Sequence, residues 1–145
     1  MPLNSFNIGA DCRLVIQHPL AAGGQLSLGD VTNFKAAQQT KSLKYTRMDG
    51  QTKLAEYPQG WSGSFQLERT GHDVDDFICT LEQAALNNQN PNVATLYQYI
   101  TELDGSTSTY QYANVVFKME DAGTYAGAET VKQTLNFEAS TRVKV

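Results

Sequence analysis

The sequence predicts a β-rich domain carrying a single amphipathic helix, and three observations predict it. Long stretches alternate apolar and polar residues with period two, two Asp-Gly pairs separate strand-like segments, and only one stretch repeats its apolar residues with helical spacing. At 145 residues the chain, 1–145, fits one domain that buries about two-thirds of the surface its unfolded form exposes. Apolar residues make up 41% and charged residues 18%, which places the chain among globular proteins, outside the membrane and disordered classes.

Taken in order, Leu14 and Ile16 alternate with Arg13, Val15 and Gln17, the signature of a half-buried strand. A hairpin arm follows over about residues 34–57, from Phe34 to Arg47 and from Thr52 to Tyr57, with Asp49-Gly50 inside the turn Met48 to Gln51. Gln38, Gln39, Thr40, Lys41, Lys44, Arg47, Gln51 and Lys53 leave this arm few apolar residues to fold onto its own core. It is expected either to project and find its partner on another chain or to stay a solvated loop. Phe65 and Leu67 then alternate with Ser64, Gln66 and Glu68.

The helix is expected over about residues 73–87, where Val74, Phe77, Ile78, Leu81 and Ala85 form one apolar stripe. Asp73 is the expected N-cap. Asp75 and Asp76 complement the positive end of the helix dipole, and the run Asn87-Asn88-Gln89-Asn90-Pro91 stops the helix. Val93 to Leu103 and Tyr110 to Met119 flank Asp104-Gly105-Ser106 and should pair as a hairpin. Tyr97, Tyr99, Tyr110 and Tyr112 share a parity on each strand, which allows cross-strand aromatic pairs, a flat surface for another subunit, or ordinary sheet packing. The last strand alternates Val131, Gln133, Leu135, Phe137, Ala139, Thr141 and Val143 with polar neighbours.

Nothing in the chain assembles a catalytic site. A nucleophilic triad needs a histidine base, and the two histidines are poorly placed: His18 precedes Pro19 at a strand end and His72 lies in the turn before the helix. The nearest metal-like cluster, His72, Asp73, Asp75, Asp76 and Cys79, is explained by capping and dipole effects, with Cys79 packed beside the helix stripe. Gly23-Gly24 followed by Gly29 is a turn between strands and lacks the strand-to-helix step that cradles phosphate. No enzyme activity, metal or cofactor is expected. Cys12 and Cys79 stand far apart without CxxC spacing, which favours two reduced, packed thiols. The start Met1-Pro2-Leu3-Asn4 has neither a basic nor an apolar signal region, and no apolar run is long enough to span a membrane. The net charge of −4 argues against tight nucleic-acid binding, which depends on lysine and arginine.

Three segments carry a family likeness. The stretch Leu43 to Ser64, with Asp49-Gly50-Gln51 and Tyr57-Pro58-Gln59-Gly60-Trp61-Ser62-Gly63-Ser64, resembles the tail tube proteins of contractile-tailed bacteriophages. So do Phe65 to Thr70 leading into Asp75-Asp76-Phe77, and Val115 to Gly123 followed by Glu129 to Gln133. The order is polar hairpin, Pro-Gln-Gly-Trp turn, strand, acidic helix start and long strands, and the likeness runs from about Phe34 to the C-terminus.

This resemblance implies a β-sandwich or half-barrel flanked by one helix, related to the type VI secretion tube protein, that forms hexameric rings stacked into a hollow tube. It implies a virion tail location after synthesis in the host cytoplasm. The implied partners are the chain itself, the tail sheath, baseplate and tail terminator proteins, and DNA that passes the lumen without specific binding. Closing sheets into a ring removes exposed edges. On that basis Lys44, Arg47, Asp49, Gln51, Lys53, Tyr57 and Trp61 are candidates for inter-subunit contact. Gln66, Glu68, Asn136 and Glu138, with Ser64 and Ser140, are candidates for a hydrophilic lumen wall, although parity alone leaves open which face looks inward. A related secretion tube, a baseplate or tube-initiator ring, an enzyme on a β-sandwich and a ligand-binding barrel are the alternatives.

Overall fold

The computed structural model describes residues 5–21, 24–29, 31–90 and 93–145. Met1 to Asn4, Gly23 of the glycine pair and Pro91 of the helix stop lie outside the described residues. After a short 3-10 turn at Gly9–Asp11 come β1 (Cys12–Gln17), β2 (Gln25–Leu28), β3 (Val31–Thr46), β4 (Thr52–Glu68), α1 (Asp73–Leu86), β5 (Ala94–Thr101), β6 (Thr107–Asp121), β7 (Lys132–Ala139) and β8 (Thr141–Lys144). The strands form one antiparallel system in the order β2-β1-β5-β6-β7-β4-β3, with β8 paired to β6.

The architecture is a β-sandwich or half-barrel with one flanking helix, and β6 makes it possible. Its first half pairs with β5 and β8, and its second half with β7. Between the halves Asn114 sits at φ 55, a left-handed conformation that asparagine tolerates and that bends the strand. The two sheet halves thereby close over one core. Leu14 and Ile16 of β1, Leu96 of β5, Tyr112 and Val115 of β6, Phe65 and Leu67 of β4, and Leu135 and Phe137 of β7 are all buried in it. Phe77 of α1 joins from one end, edge-on to Phe117 and to His18.

The period-two reading holds where it is strongest: Gln133, Leu135, Phe137 and Ala139 are buried and their neighbours are not. The strand nevertheless divides at Ser140, whose N–H donates to Ala113 O opposite the bend in β6. Beyond the division Thr141 and Val143 leave the core face and stand exposed or half-exposed.

Several other expectations are corrected. Pro58-Gln59-Gly60-Trp61 is no turn, because β4 runs unbroken through it. Gln59 and Gly60 oppose Gln39 alone as a bulge between the pairs Gln38↔Trp61 and Thr40↔Pro58. Gly60 takes φ +105 there, and a Cβ on it would lie 2.6 Å from Ala139 O, so only glycine fits. Pro58 is tolerated because β7 pairs with β4 only from Trp61 onward, which leaves that edge of the strand open.

His72, not Asp73, is the N-cap residue, and no side chain caps the helix. Asp73, Asp75 and Asp76 act within the first turn by charge instead. The helix ends at Leu86, with Ala84 buried and Ala85 exposed. Cys79 is exposed rather than packed and Cys12 is half-buried, both as free thiols.

The tyrosines do not pair across the hairpin. Tyr97 faces Gln111 and Tyr99 faces Thr109, whereas Tyr110 faces Gln98 and Tyr112 faces Leu96. The register puts Tyr97 and Tyr99 on the outer face and sends Tyr112 into the core, because a shift of one residue exchanges the faces of a strand.

Candidate assembly surfaces

Beyond Trp61, β3 and β4 pair only with each other. Every residue from Ala37 to Gln59 is exposed, so this ribbon stands clear of the domain for about 30 Å at strand rise. Its two faces differ. Thr40, Ser42, Lys44, Thr46, Thr52, Leu54 and Glu56 share one face, where the hydroxyls of Thr40 and Ser42 donate to Glu56 at 2.7 and 2.6 Å. Those two bonds, Ser42 first, hold the Glu56 carboxyl below its ordinary pKa. The other face carries Leu43, Tyr45, Ala55 and Tyr57 between Lys41 and Lys53. The composition of the arm reads as polar, but Leu43, Tyr45, Ala55 and Tyr57 are gathered on one side, with Leu54 alone among the leucines on the other.

The tip is self-contained. Arg47 Nη1 donates to Gln51 Oε1 at 2.9 Å and Nη2 lies 3.4 Å from Asp49 Oδ2, while the Gln51 N–H donates to Asp49 Oδ1 at 3.0 Å. Arg47, Asp49 and Gln51 thus hold the turn, with Gly50 at φ +91. Lys44, Lys53 and Tyr57 lie along the exposed ribbon, Lys44 on the opposite face from the other two. Trp61 sits at the root of the arm. It is half-buried against Tyr112 at 6.2 Å between ring centres, with the Arg142 guanidinium 5.3 Å from its ring.

A second surface is the outer face of β3, β4, β7 and β6. The pairs Glu68↔Lys132, Gln66↔Thr134, Ser64↔Asn136 and Ser62↔Glu138 continue into Lys118 and Val116 on β6 and into Lys35 on β3. Gln66, Glu68, Asn136 and Glu138 therefore share one face with Ser64. Lys35, Lys118 and Lys132 stand there against Glu68, Glu138 and Asp121, so the wall is hydrophilic and its charges cancel. The outer face of β1 and β5 is different: Tyr97 stacks on Tyr99 at 6.3 Å, and Arg13 lies 5.7 Å from the Tyr99 ring.

Both histidines make local contacts. His18 is buried and its Nδ1 accepts from the Leu20 N–H at 3.0 Å. His72 pairs with Asp76, and that bond is the main reason its pKa is raised above 6.5. Among the described residues no three His, Cys, Asp or Glu gather as a metal site. No helix among them is long and apolar enough to cross a membrane.

This fold is shared with chains of contractile injection systems. The chain superposes along its whole length on 94% of a chain from the anti-feeding prophage tube-terminating cap, with TM-score 0.64 and 8% identity. It matches a chain of the sheath–tube complex of an extracellular contractile injection system at TM-score 0.64 and 10% identity, covering 97% of this chain and 93% of that one. A chain of the six-fold symmetrised anti-feeding prophage baseplate matches at TM-score 0.58 and 7% identity, covering 99% and 97%. No protein-family model matches the sequence, and no curated protein sequence matches it closely enough to count as a relative.

Proposed function

We propose that the protein is a structural subunit of a hollow tail tube in a phage-like contractile particle. Its rings, six-membered by resemblance, stack into a channel through which DNA passes without specific binding. The observation that carries this reading is the free ribbon. A two-stranded hairpin is marginal by itself in water, and this one exposes Leu43, Tyr45 and Tyr57 along one face, so a partner chain supplies what its own core does not. The largely polar, charge-balanced face of Gln66, Glu68, Asn136 and Glu138 suits a lumen wall, since a surface without excess positive charge has little net attraction for phosphate. The mixed Tyr97–Tyr99 face suits contact with protein. In this reading the chain meets sheath, baseplate and terminator proteins and resides in the virion tail after synthesis in the host cytoplasm.

A second reading is a related secretion tube, or a cap, terminator or baseplate ring that does not extend. It is favoured by the comparable similarity to cap and baseplate chains. Negative-stain electron microscopy of the purified chain separates the two: tubes support the first, isolated rings or discs the second, and a persistent monomer overturns both. Deleting Lys44 to Lys53 is expected to abolish stacking, and tubes of unchanged length and stability would remove the clasp role of the arm.

A further inference from the structure

A shallow groove runs between α1 and the middle of β6. It holds about 290 Å³ and is lined by Ile78, Leu81, Glu82 and Ala85 on the helix and by Val116 and Phe117 on the strand. Its lining is mostly apolar, and Val116 at its border is 50% exposed. The helix beside it carries Asp73, Asp75, Asp76 and Glu82 and no basic residue. Asp75 is engaged by Arg69 and Asp76 by His72, while Glu82 lines the groove itself.

The arm has the complementary character. Of the chain's 11 lysines and arginines, Lys41, Lys44, Arg47 and Lys53 are on it. On the face formed by Leu43, Tyr45, Ala55 and Tyr57 the charges are all positive, Lys41 and Lys53 along the ladder and Arg47 at its end. Glu56 lies on the opposite face and Asp49 is taken up by Arg47 at the tip. The ribbon pairs only with itself and is exposed on both sides, so it does not reach the groove of its own domain.

We propose that the Leu43–Tyr45–Ala55–Tyr57 face of the arm seats in the α1–β6 groove of a second copy of this chain, with Lys41 and Lys53 against Glu82 and the acidic helix. The proposal rests on the self-assembly reading above and gives the arm its receptor. Apolar area supplies the contact, two aromatic rings anchor it, and opposite charge sets orientation and partner choice. The charge pattern also disfavours arm-to-arm pairing, which would bring the lysines of two arms together.

The test places the photocrosslinker benzoylphenylalanine at Tyr57, and separately at Tyr45, in the full chain mixed with isotope-labelled copies. Crosslinked peptides are then identified by mass spectrometry. Intermolecular adducts within residues 78–86 and 115–117 are the expected result. Adducts on another surface, such as the Tyr97–Tyr99 face, in chains that still form rings or tubes would overturn the groove while leaving the tube reading intact. Adducts within a single chain would also overturn it, and a wild-type chain that stays monomeric would sink both readings. As a second arm, K41E/K53E is expected to lose assembly by sedimentation velocity and to regain it when mixed with E82K. Assembly unaffected by either change would overturn the charge pairing.

Discussion

Gln133 Nε2 donates to Asp75 Oδ1 at 2.8 Å, and this contact ties the first turn of α1 to the buried face of β7. The same amide nitrogen also donates to Ala122 O at 3.1 Å, and Asp75 Oδ2 receives Arg69 Nε at 2.7 Å. One carboxylate therefore joins the end of β4, the helix and the last core strand. Its bond to Arg69 is the main reason that guanidinium's pKa is raised.

Replacing Asp75 with alanine should cost about 2 kcal/mol, since the Gln133 amide, 1% exposed, loses its charged acceptor and Arg69 loses its partner. Urea denaturation followed by circular dichroism should show a lower midpoint with an unchanged slope.

Gly63→Ala should be among the most damaging single-methyl changes in the chain. A Cβ there would lie 2.0 Å from Lys35 O and 2.9 Å from both Ala36 Cα and Phe137 Cζ, so β3 or β7 must move, at a cost of about 3 kcal/mol or more. Gly50→Ala meets nothing within 4 Å but keeps φ +91 and should cost about 1 kcal/mol. Thermal melts of the two variants should separate them clearly.

His72 should titrate above 6.5 in the folded chain, because Asp76 and, more weakly, Asp73 favour its protonated form. The sign follows from linkage. The contribution is complete below the unfolded value of 6.5 and disappears as pH rises through the higher folded value. NMR titration of the His72 ring should show the raised value and its return toward 6.5 in Asp76→Asn.

Tyr57→Ala and Leu43→Ser should change the stability of the isolated domain by less than about 0.5 kcal/mol, because exposed residues contribute little to the monomer. Both should nevertheless reduce assembly in sedimentation velocity. A fall in melting temperature equal to that of Asp75→Ala would show that the arm is part of the domain's own core.

The lumen-wall candidates and the arm were legible to different depths. Gln66 and Glu68 share parity within β4, and Asn136 and Glu138 within β7, which is local information. That all four share one face needed the pairing Ser64↔Asn136. Asp49-Gly50 marked the hairpin correctly, but Pro58-Gln59-Gly60-Trp61 read as a turn and is a bulge in a continuous strand. Proline and glycine punctuate both, and only the neighbouring β7 decides between them. Trp61, an arm-contact candidate by sequence, lies at the root of the arm beside Tyr112 and Arg142.

By itself the sequence determined the two-faced strands, the one helix and the position of the hairpin tip, because periodicity and turn chemistry act between residues a few positions apart. Tertiary structure alone decided that the tyrosines part company, that β6 bends at Asn114 to serve both halves of the sheet, and that the polar-reading arm has an apolar side. Register sets each of these across segments tens of residues apart, and a slip of one residue would send every side chain of a strand to the other face.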